Sequence, residues 1–238
     1  MKPTIREGWI DNRGVRLHYI ESNPEVPLSL LPLIYIHGAY GTAEGFLPEM
    51  EALSPRRCVA VSLRGRGKSD APETGYTFHH HISDIEALVN HLGLRRFCLM
   101  GWSVGVAYSI GYASHHPKSV AGLILLDYPA RHPAFPPQWA DRVLSDPSLD
   151  WKPQTVYAIQ RKSAEVPLWD DLGKVQCPVL VIGGGQPEAL LKPEHIEKYR
   201  KHLPSAQIVV FNDSGHNVLK PDYDRFIRTL TAFLEKID

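Results

Sequence analysis

The stretch Gly101-Trp102-Ser103-Val104-Gly105 places a serine between two glycines, directly after a short apolar run. A strand-like segment precedes it, and a helix-like segment rich in Gly, Ala and Ser follows it. The glycines relieve crowding where the strand turns sharply, and the serine at the tip is held in a strained, exposed conformation. Ser103 is therefore the candidate nucleophile, suited to attack on a carbonyl carbon.

A nucleophile of this kind needs donors for the negative charge that develops on the attacked oxygen. The backbone N–H of Val104, the residue after the nucleophile, is one expected donor. The other is expected from the loop after the third predicted strand, which reads His37-Gly38-Ala39-Tyr40-Gly41. We select the N–H of Ala39, although a plain glycine turn would give the same residues.

Twelve histidines are available as candidates for the general base, and one of them is His216. It follows the last predicted strand and precedes the final amphipathic helix. A neutral imidazole can accept the serine proton and later return it to the leaving group. We interpret the run His79-His80-His81 as the solvated first turn of a helix. Consecutive helical residues point in different directions and cannot easily chelate one ion, so we expect no metal site.

Apolar runs of strand length alternate with helical patterns, which is typical of a doubly wound α/β domain with a parallel sheet. The turn signal Asn12-Arg13-Gly14 predicts an N-terminal hairpin. Further strands are predicted within 31–38, 57–65, 95–101, 120–127, 177–184 and 206–213, and helices over 77–92, 104–116 and a C-terminal segment around 226–234.

Residues 128–173 break this alternation, because they hold seven of the twenty prolines and three of the five tryptophans without a clear strand. We interpret this segment as a small helical or irregular lid inserted between the sixth and seventh sheet strands. The core domain is then formed by residues 1–127 and 174–238.

The chain resembles the α/β-hydrolase superfamily over nearly its whole length. The resemblance lies in four motifs in the expected order: HGAYG at 37–41, LRGRGKSD at 63–70, GWSVG at 101–105 and NDSGHNVLKPDYDRF at 212–226. It implies a mostly parallel eight-stranded sheet flanked by helices, a lid after strand six, and Ser–acid–His chemistry without a cofactor. It also places the general base at His216.

The sequence departs from the family pattern at the carboxylate that partners the histidine. The position after strand seven that usually holds this aspartate is Pro187 here. Glu188 lies one residue later in the same loop, and Asp127 ends strand six, where some branches of the superfamily place the acid. Either residue could fix the histidine tautomer and stabilise the imidazolium. We favour Asp127, because a short side chain on a rigid strand end is better held than a glutamate beside three glycines.

The motifs predict an esterase or lactonase that acts through an acyl-enzyme. A lid of about 45 residues favours small or medium substrates. Four aromatic side chains are candidates for substrate contact: Trp102, Tyr128, Trp139 and Trp151. A carbon–carbon bond or thioester hydrolase with the same triad is an alternative, and so is a non-catalytic binding protein on this fold.

Composition limits the classes of partner molecule that we expect for this chain. Twenty-six basic residues balance twenty-six acidic ones, so net charge gives no reason to expect nucleic acid or an anionic membrane. No apolar run approaches the roughly 18 residues of a membrane span, and the N-terminus has no leader pattern. Three cysteines without metal-ligand spacing favour structural thiols in a reducing cytoplasm. The expected partner is a small-molecule ester or lactone, with the oligomeric state left open.

Overall fold

The computed structural model describes residues 2–25, 30–147, 149 and 151–238. Eight strands form one sheet in the order β1-β2-β4-β3-β5-β6-β9-β10. The pairs β1–β2 and β2–β4 are antiparallel and the other five are parallel. In chain order these strands are β1 (Ile5–Asn12), β2 (Val15–Ser22), β3 (Leu33–Ile36), β4 (Cys58–Val61), β5 (Phe97–Trp102), β6 (Val120–Leu126), β9 (Val179–Gly184) and β10 (Gln207–Phe211).

The predicted hairpin is present, with Arg13 and Gly14 at positive φ in the turn between β1 and β2. The central strands are buried along their whole length, which matches their unbroken runs of Val, Ile and Leu. The helices of the core are α1 (Leu47–Ala52), α2 (Phe78–His91), α3 (Gly105–His115), α6 (Pro193–His202) and α7 (Tyr223–Leu234), with a short 3-10 helix at Ala43–Phe46.

Helix α3 packs against the centre of the sheet, and its residues from Gly105 to Ser114 are all buried. Its small side chains permit this close approach. A β-carbon added to Gly105 would lie 2.4 Å from the carbonyl oxygen of Ile36 on β3. The first residue of this helix therefore has to be glycine, and the chain segment before it is fixed over the carboxyl ends of β3 and β5.

We use the name cap for the segment between β6 and β9, residues 128–178. It contains the helices α4 (Pro137–Ser145) and α5 (Pro153–Lys162), a 3-10 helix at Asp170–Lys174, and two short strands, β7 (Arg131–His132) and β8 (Val166–Pro167). The two strands pair antiparallel. This pair could not be predicted, because two residues per strand are too few to show an alternating pattern.

The prediction that His79, His80 and His81 form a solvated turn is wrong for His81. The first two side chains are exposed at the start of α2, but His81 is 1% exposed and its ring stacks on Tyr108 of α3 at 4.6 Å. None of the helices in the described ranges is long and apolar enough to cross a bilayer.

Candidate active site

Ser103 lies at the bend between β5 and α3 and has a φ of 56°. This left-handed conformation is strained for a residue with a β-carbon. The bend is held by hydrogen bonds from the Ser103 N–H to the Leu126 carbonyl at 3.1 Å and from the Val106 N–H to the Ser103 carbonyl at 2.9 Å. Glycine is required beside it, since a β-carbon at Gly101 would lie 2.5 Å from the Gly105 oxygen.

Asp127 and His216 are brought together from residues 89 positions apart in the chain. The Nδ1 of His216 donates to Oδ2 of Asp127 at 2.7 Å, and the carboxylate is fully buried. Asp127 directly follows β6, and its own φ of 47° turns the side chain toward the loop that carries the histidine. With Nδ1 as donor, the Nε2 of the neutral ring is left as an acceptor.

Three backbone N–H groups also converge on the Asp127 carboxylate. Oδ1 accepts from Gly184 at 3.1 Å and from Leu191 at 3.3 Å, and Oδ2 accepts from Leu190 at 2.8 Å. Together with His216 these make four donors, which suits the acceptor-only oxygens of an ionised carboxylate. The loop after β9 thus supplies N–H groups that hold the Asp127 carboxylate in place.

Glu188, the alternative acid, occupies a different place. Its side chain is exposed, and it lies beside Gly215, where an added β-carbon would sit 3.6 Å from its Oε2. The hydrogen bond of the His216 ring nitrogen goes to Asp127. Of the two carboxylates that the sequence offered, the geometry therefore favours Asp127.

Trp102 positions the histidine from the other side. Its indole Nε1 donates to the His216 carbonyl at 3.2 Å, and the two rings stack with their centroids 5.6 Å apart. Because Trp102 immediately precedes Ser103, the same strand end sets the positions of the hydroxyl and of the imidazole.

Ser103 and His216 line one cleft of about 310 Å³, with Gly38, Ala39, Tyr40, Gly41 and Trp102. The loop 38–41 approaches the serine closely, since a β-carbon on Gly38 would lie 2.9 Å from the Ser103 β-carbon. Within the described ranges, the backbone N–H groups of Ala39 and Val104 donate to no protein acceptor. Both remain available to a ligand oxygen beside the hydroxyl.

His37 anchors this loop. Its Nδ1 donates to the Gly38 carbonyl at 2.6 Å, and its Nε2 accepts from the Leu63 N–H at 3.0 Å. Burial lowers the pKa of His37 to about 3, so the ring is neutral at pH 7 and both of its hydrogen bonds are satisfied. The sequence offered a signal for this role in the His-Gly pair at 37–38, but only the fold shows which two groups the ring joins.

The four aromatic candidates differ in position. Trp102 lines the cleft, whereas Tyr128 is buried in the main core and accepts a hydrogen bond on its carbonyl from Tyr199 at 3.0 Å. Trp139 and Trp151 belong to the cap and reach the cleft through Tyr40, at ring distances of 6.1 and 6.4 Å. Tyr40 is the aromatic contact that the sequence reasoning missed.

The family model described as alpha/beta hydrolase fold matches residues 32–166, which is more than half of the 238-residue chain. The chain belongs to this family. The matched segment includes the loop 38–41, Ser103 and Asp127, and the eight-stranded, mostly parallel sheet is the architecture that the motifs implied.

This α/β-hydrolase is 36% identical over 127 residues to the AB hydrolase superfamily protein YisY of Bacillus subtilis (strain 168), covering 50% of this chain and 47% of that protein. It is 34% identical over 97 residues to the 2-(acetamidomethylene)succinate hydrolase of Mesorhizobium japonicum, covering 40% and 35% of the two chains. The alignments thus span less than half the length of either relative.

Among solved structures, the enol-lactonase from Burkholderia xenovorans LB400 is similar with a TM-score of 0.82. The superposition covers 96% of this chain and all of that one at 20% identity. At this identity the likeness establishes the fold, and the chemistry has to be argued from the site.

Proposed function

We propose that this α/β-hydrolase cleaves small to medium carboxylic esters or lactones through an acyl-enzyme intermediate. The observation that carries the proposal is the 2.7 Å hydrogen bond between His216 and the buried Asp127, with Ser103 at positive φ in the same cleft. The names of similar proteins, an enol-lactonase and a 2-(acetamidomethylene)succinate hydrolase, agree with hydrolysis.

In the proposed reaction the hydroxyl of Ser103 attacks the carbonyl carbon while Nε2 of His216 takes its proton. The N–H groups of Ala39 and Val104 stabilise the resulting oxyanion. The imidazolium, stabilised by Asp127, then protonates the leaving group as the carbon–oxygen bond breaks. Water activated by His216 hydrolyses the acyl-enzyme and releases the acid.

The size of the cleft sets the substrate range. About 310 Å³ is at the small end of ligand sites, and most of its lining is glycine, alanine and aromatic surface. Such a cleft suits a short acyl group with a small alcohol, an aryl alcohol or a lactone ring.

Hydrolysis of p-nitrophenyl acetate tests the proposal. We expect turnover by the wild-type protein and a loss of at least about 10⁴-fold in Ser103→Ala. Ser109→Ala is the matched control, because Ser109 is a buried serine on α3 whose hydroxyl has no partner in the described part of the chain. Turnover at the uncatalysed rate, or equal turnover by Ser103→Ala and wild type, would reject the function. A panel of aryl esters, lactones and diketone acids then assigns the substrate class.

A further inference from the structure

Arg66 is buried beside the cleft, with only 2% of its surface exposed. Its Nη1 donates to the Arg64 carbonyl at 2.8 Å and to Nε2 of His81 at 3.0 Å. The other ring nitrogen of His81 donates to the Thr77 carbonyl at 2.9 Å, which leaves Nε2 as the acceptor. Burial keeps the pKa of His81 well below its ordinary value, so this partner of the guanidinium is neutral.

Among the described residues, the buried region around Arg66 has one positive charge in excess. The carboxylate of Asp84 is already paired with Arg64, at 2.6 Å from Nη2 and 2.9 Å from Nε, and it also accepts from Asn12 at 2.8 Å. In the described ranges no carboxylate lies within 4 Å of the Arg66 guanidinium. Arginine keeps its charge when buried, and an unpaired buried charge is costly. An anion bound here would neutralise it.

Two buried hydroxyls, those of Tyr76 and Thr155, lie at the same turn and interact with each other. Tyr76 is 1% exposed and Thr155 of α5 is 2% exposed, and neither hydroxyl has a further partner among the described residues. A β-carbon on Gly65 would lie 3.1 Å from the Tyr76 oxygen and 2.7 Å from the Thr155 methyl. The Nη2 of Arg66 likewise donates to no acceptor in the described ranges. Donors from the core and from the cap thus surround the Gly65–Arg66 turn.

This group lies directly behind the wall of the cleft. The Nε of Arg66 is 3.5 Å from the Ala39 carbonyl, and Ala39 lines the cleft next to Ser103. On the cap side the guanidinium carbon lies 5.4 Å from the ring centre of Trp151, which in turn contacts Tyr40 at 6.4 Å. The guanidinium of Arg66 is therefore separated from the cleft by the backbone of Ala39.

We propose that Arg66, with the hydroxyls of Tyr76 and Thr155, binds a carboxylate carried by the substrate. The preferred substrates are then anionic esters or lactones, held by the planar, multiple-donor guanidinium. This inference names the substrate class of the hydrolase proposed above and rests on that function. No covalent step is added.

Binding to the Ser103→Ala protein tests the subsite without hydrolysis. Monomethyl glutarate carries a carboxylate, whereas dimethyl glutarate is its neutral counterpart of nearly the same size. By isothermal titration calorimetry we expect the monoanion to bind at least about tenfold more tightly, as one charge-assisted contact gives. Equal affinities would overturn the proposal, and this result does not depend on any change at Arg66.

Substitutions then show which residues produce the preference for the monoanion over the neutral diester. Each is made in the Ser103→Ala background and checked for folding by thermal unfolding. Arg66→Met should bring the affinity ratio to about one, and Arg66→Lys should restore part of it. Tyr76→Phe removes only a hydroxyl and should lower the ratio several-fold. A ratio unchanged in folded Arg66→Met would overturn the proposal.

A control tests whether a carboxylate of the chain itself pairs with the Arg66 guanidinium. Asp150 is the residue to substitute, because it precedes Trp151 in sequence and lies outside the described residues. We expect Asp150→Asn to leave the affinity ratio unchanged. A ratio that rises several-fold would show that Arg66 is already paired with Asp150 and would overturn the proposal.

Hydrolysis of both esters by the wild-type protein separates the two proposals. Equal kcat/KM values for both esters, with equal binding, would remove the carboxylate subsite and leave the esterase function standing. Selective binding of the monoanion without hydrolysis of either ester would support the subsite and reject the function.

Discussion

Asparagine in place of Asp127 keeps the shape of the side chain but replaces one acceptor oxygen by a donor. Each oxygen of the native carboxylate accepts from two donors: His216 and the Leu190 N–H on one side, the Gly184 and Leu191 N–H groups on the other. Whichever way the amide is placed, its NH₂ group faces two donors. The orientation that keeps the Gly184 and Leu191 bonds turns the NH₂ toward His216.

That orientation reverses the tautomer of the imidazole. His216 can then accept at Nδ1 only if its proton is on Nε2, and a protonated Nε2 cannot take the proton of Ser103. For a triad with its histidine in the wrong tautomer, kcat falls by about 10⁴-fold, equivalent to about 5.4 kcal/mol of barrier. The lost hydrogen bonds to a charged acceptor should also cost about 1.5–3 kcal/mol of unfolding free energy.

Steady-state hydrolysis of p-nitrophenyl acetate and urea unfolding measure the two effects on the same protein. Glu188→Gln is the matched control, because its carboxylate is exposed and makes no hydrogen bond to His216; we expect less than about a threefold change. If Asp127→Asn kept a tenth of the wild-type kcat, or if Glu188→Gln lost the activity, the assignment of the acid would be wrong.

Three further predictions follow from the packing and burial around the site. Gly105→Ala should lower the unfolding free energy by about 2–3 kcal/mol, because the added β-carbon would lie 2.4 Å from a carbonyl oxygen. A β-carbon added at Gly173 would have no atom within 4 Å, so Gly173→Ala should change the unfolding free energy by less than about 0.5 kcal/mol. Equal effects of the two substitutions in urea unfolding would refute this prediction. Trp102 lines both the 310 Å³ cleft and a second cavity of 140 Å³. Trp102→Ala should therefore shift the kcat/KM preference of a p-nitrophenyl ester series toward longer acyl chains, and an unchanged chain-length profile would contradict this. Burial lowers the pKa of His37 to about 3, so below pH ~6.5 the unfolded chain binds a proton there and the folded chain does not. Through this residue, stability should fall by about 1.4 kcal/mol per pH unit from pH 6 to 5. His37→Gln should reduce the slope by about this amount, whereas a substitution of the exposed His79 by Gln should not change it; equal slopes in all three proteins would refute the prediction.

The sheet could be predicted from the sequence because each buried strand is a short, unbroken apolar run between turn signals. The serine bend was equally legible, since the two glycines beside Ser103 are demanded by backbone contacts at 2.4–2.5 Å. These features are visible in the sequence because their residues are neighbours in the chain, although the 2.4 Å contact of Gly105 is with Ile36 of β3.

The acid could only be narrowed to two residues, because it depends on contacts between segments far apart in sequence. Which carboxylate meets His216 is set by the φ of Asp127 and by three N–H groups, one at the end of β9 and two in the loop after it. Neither the φ of Asp127 nor these N–H contacts can be read from the residue types in the sequence. The buried His81 was missed for a similar reason, since its burial is created by Tyr108 and Arg66 from other elements.

A fluorophosphonate that forms an adduct with activated serines tests the central claim most directly. Peptide mapping by mass spectrometry should find one adduct, on Ser103, and His216→Ala should abolish its formation in a protein that still unfolds cooperatively. Labelling of another residue, or labelling of Ser103 at the same rate without the imidazole of His216, would contradict the account.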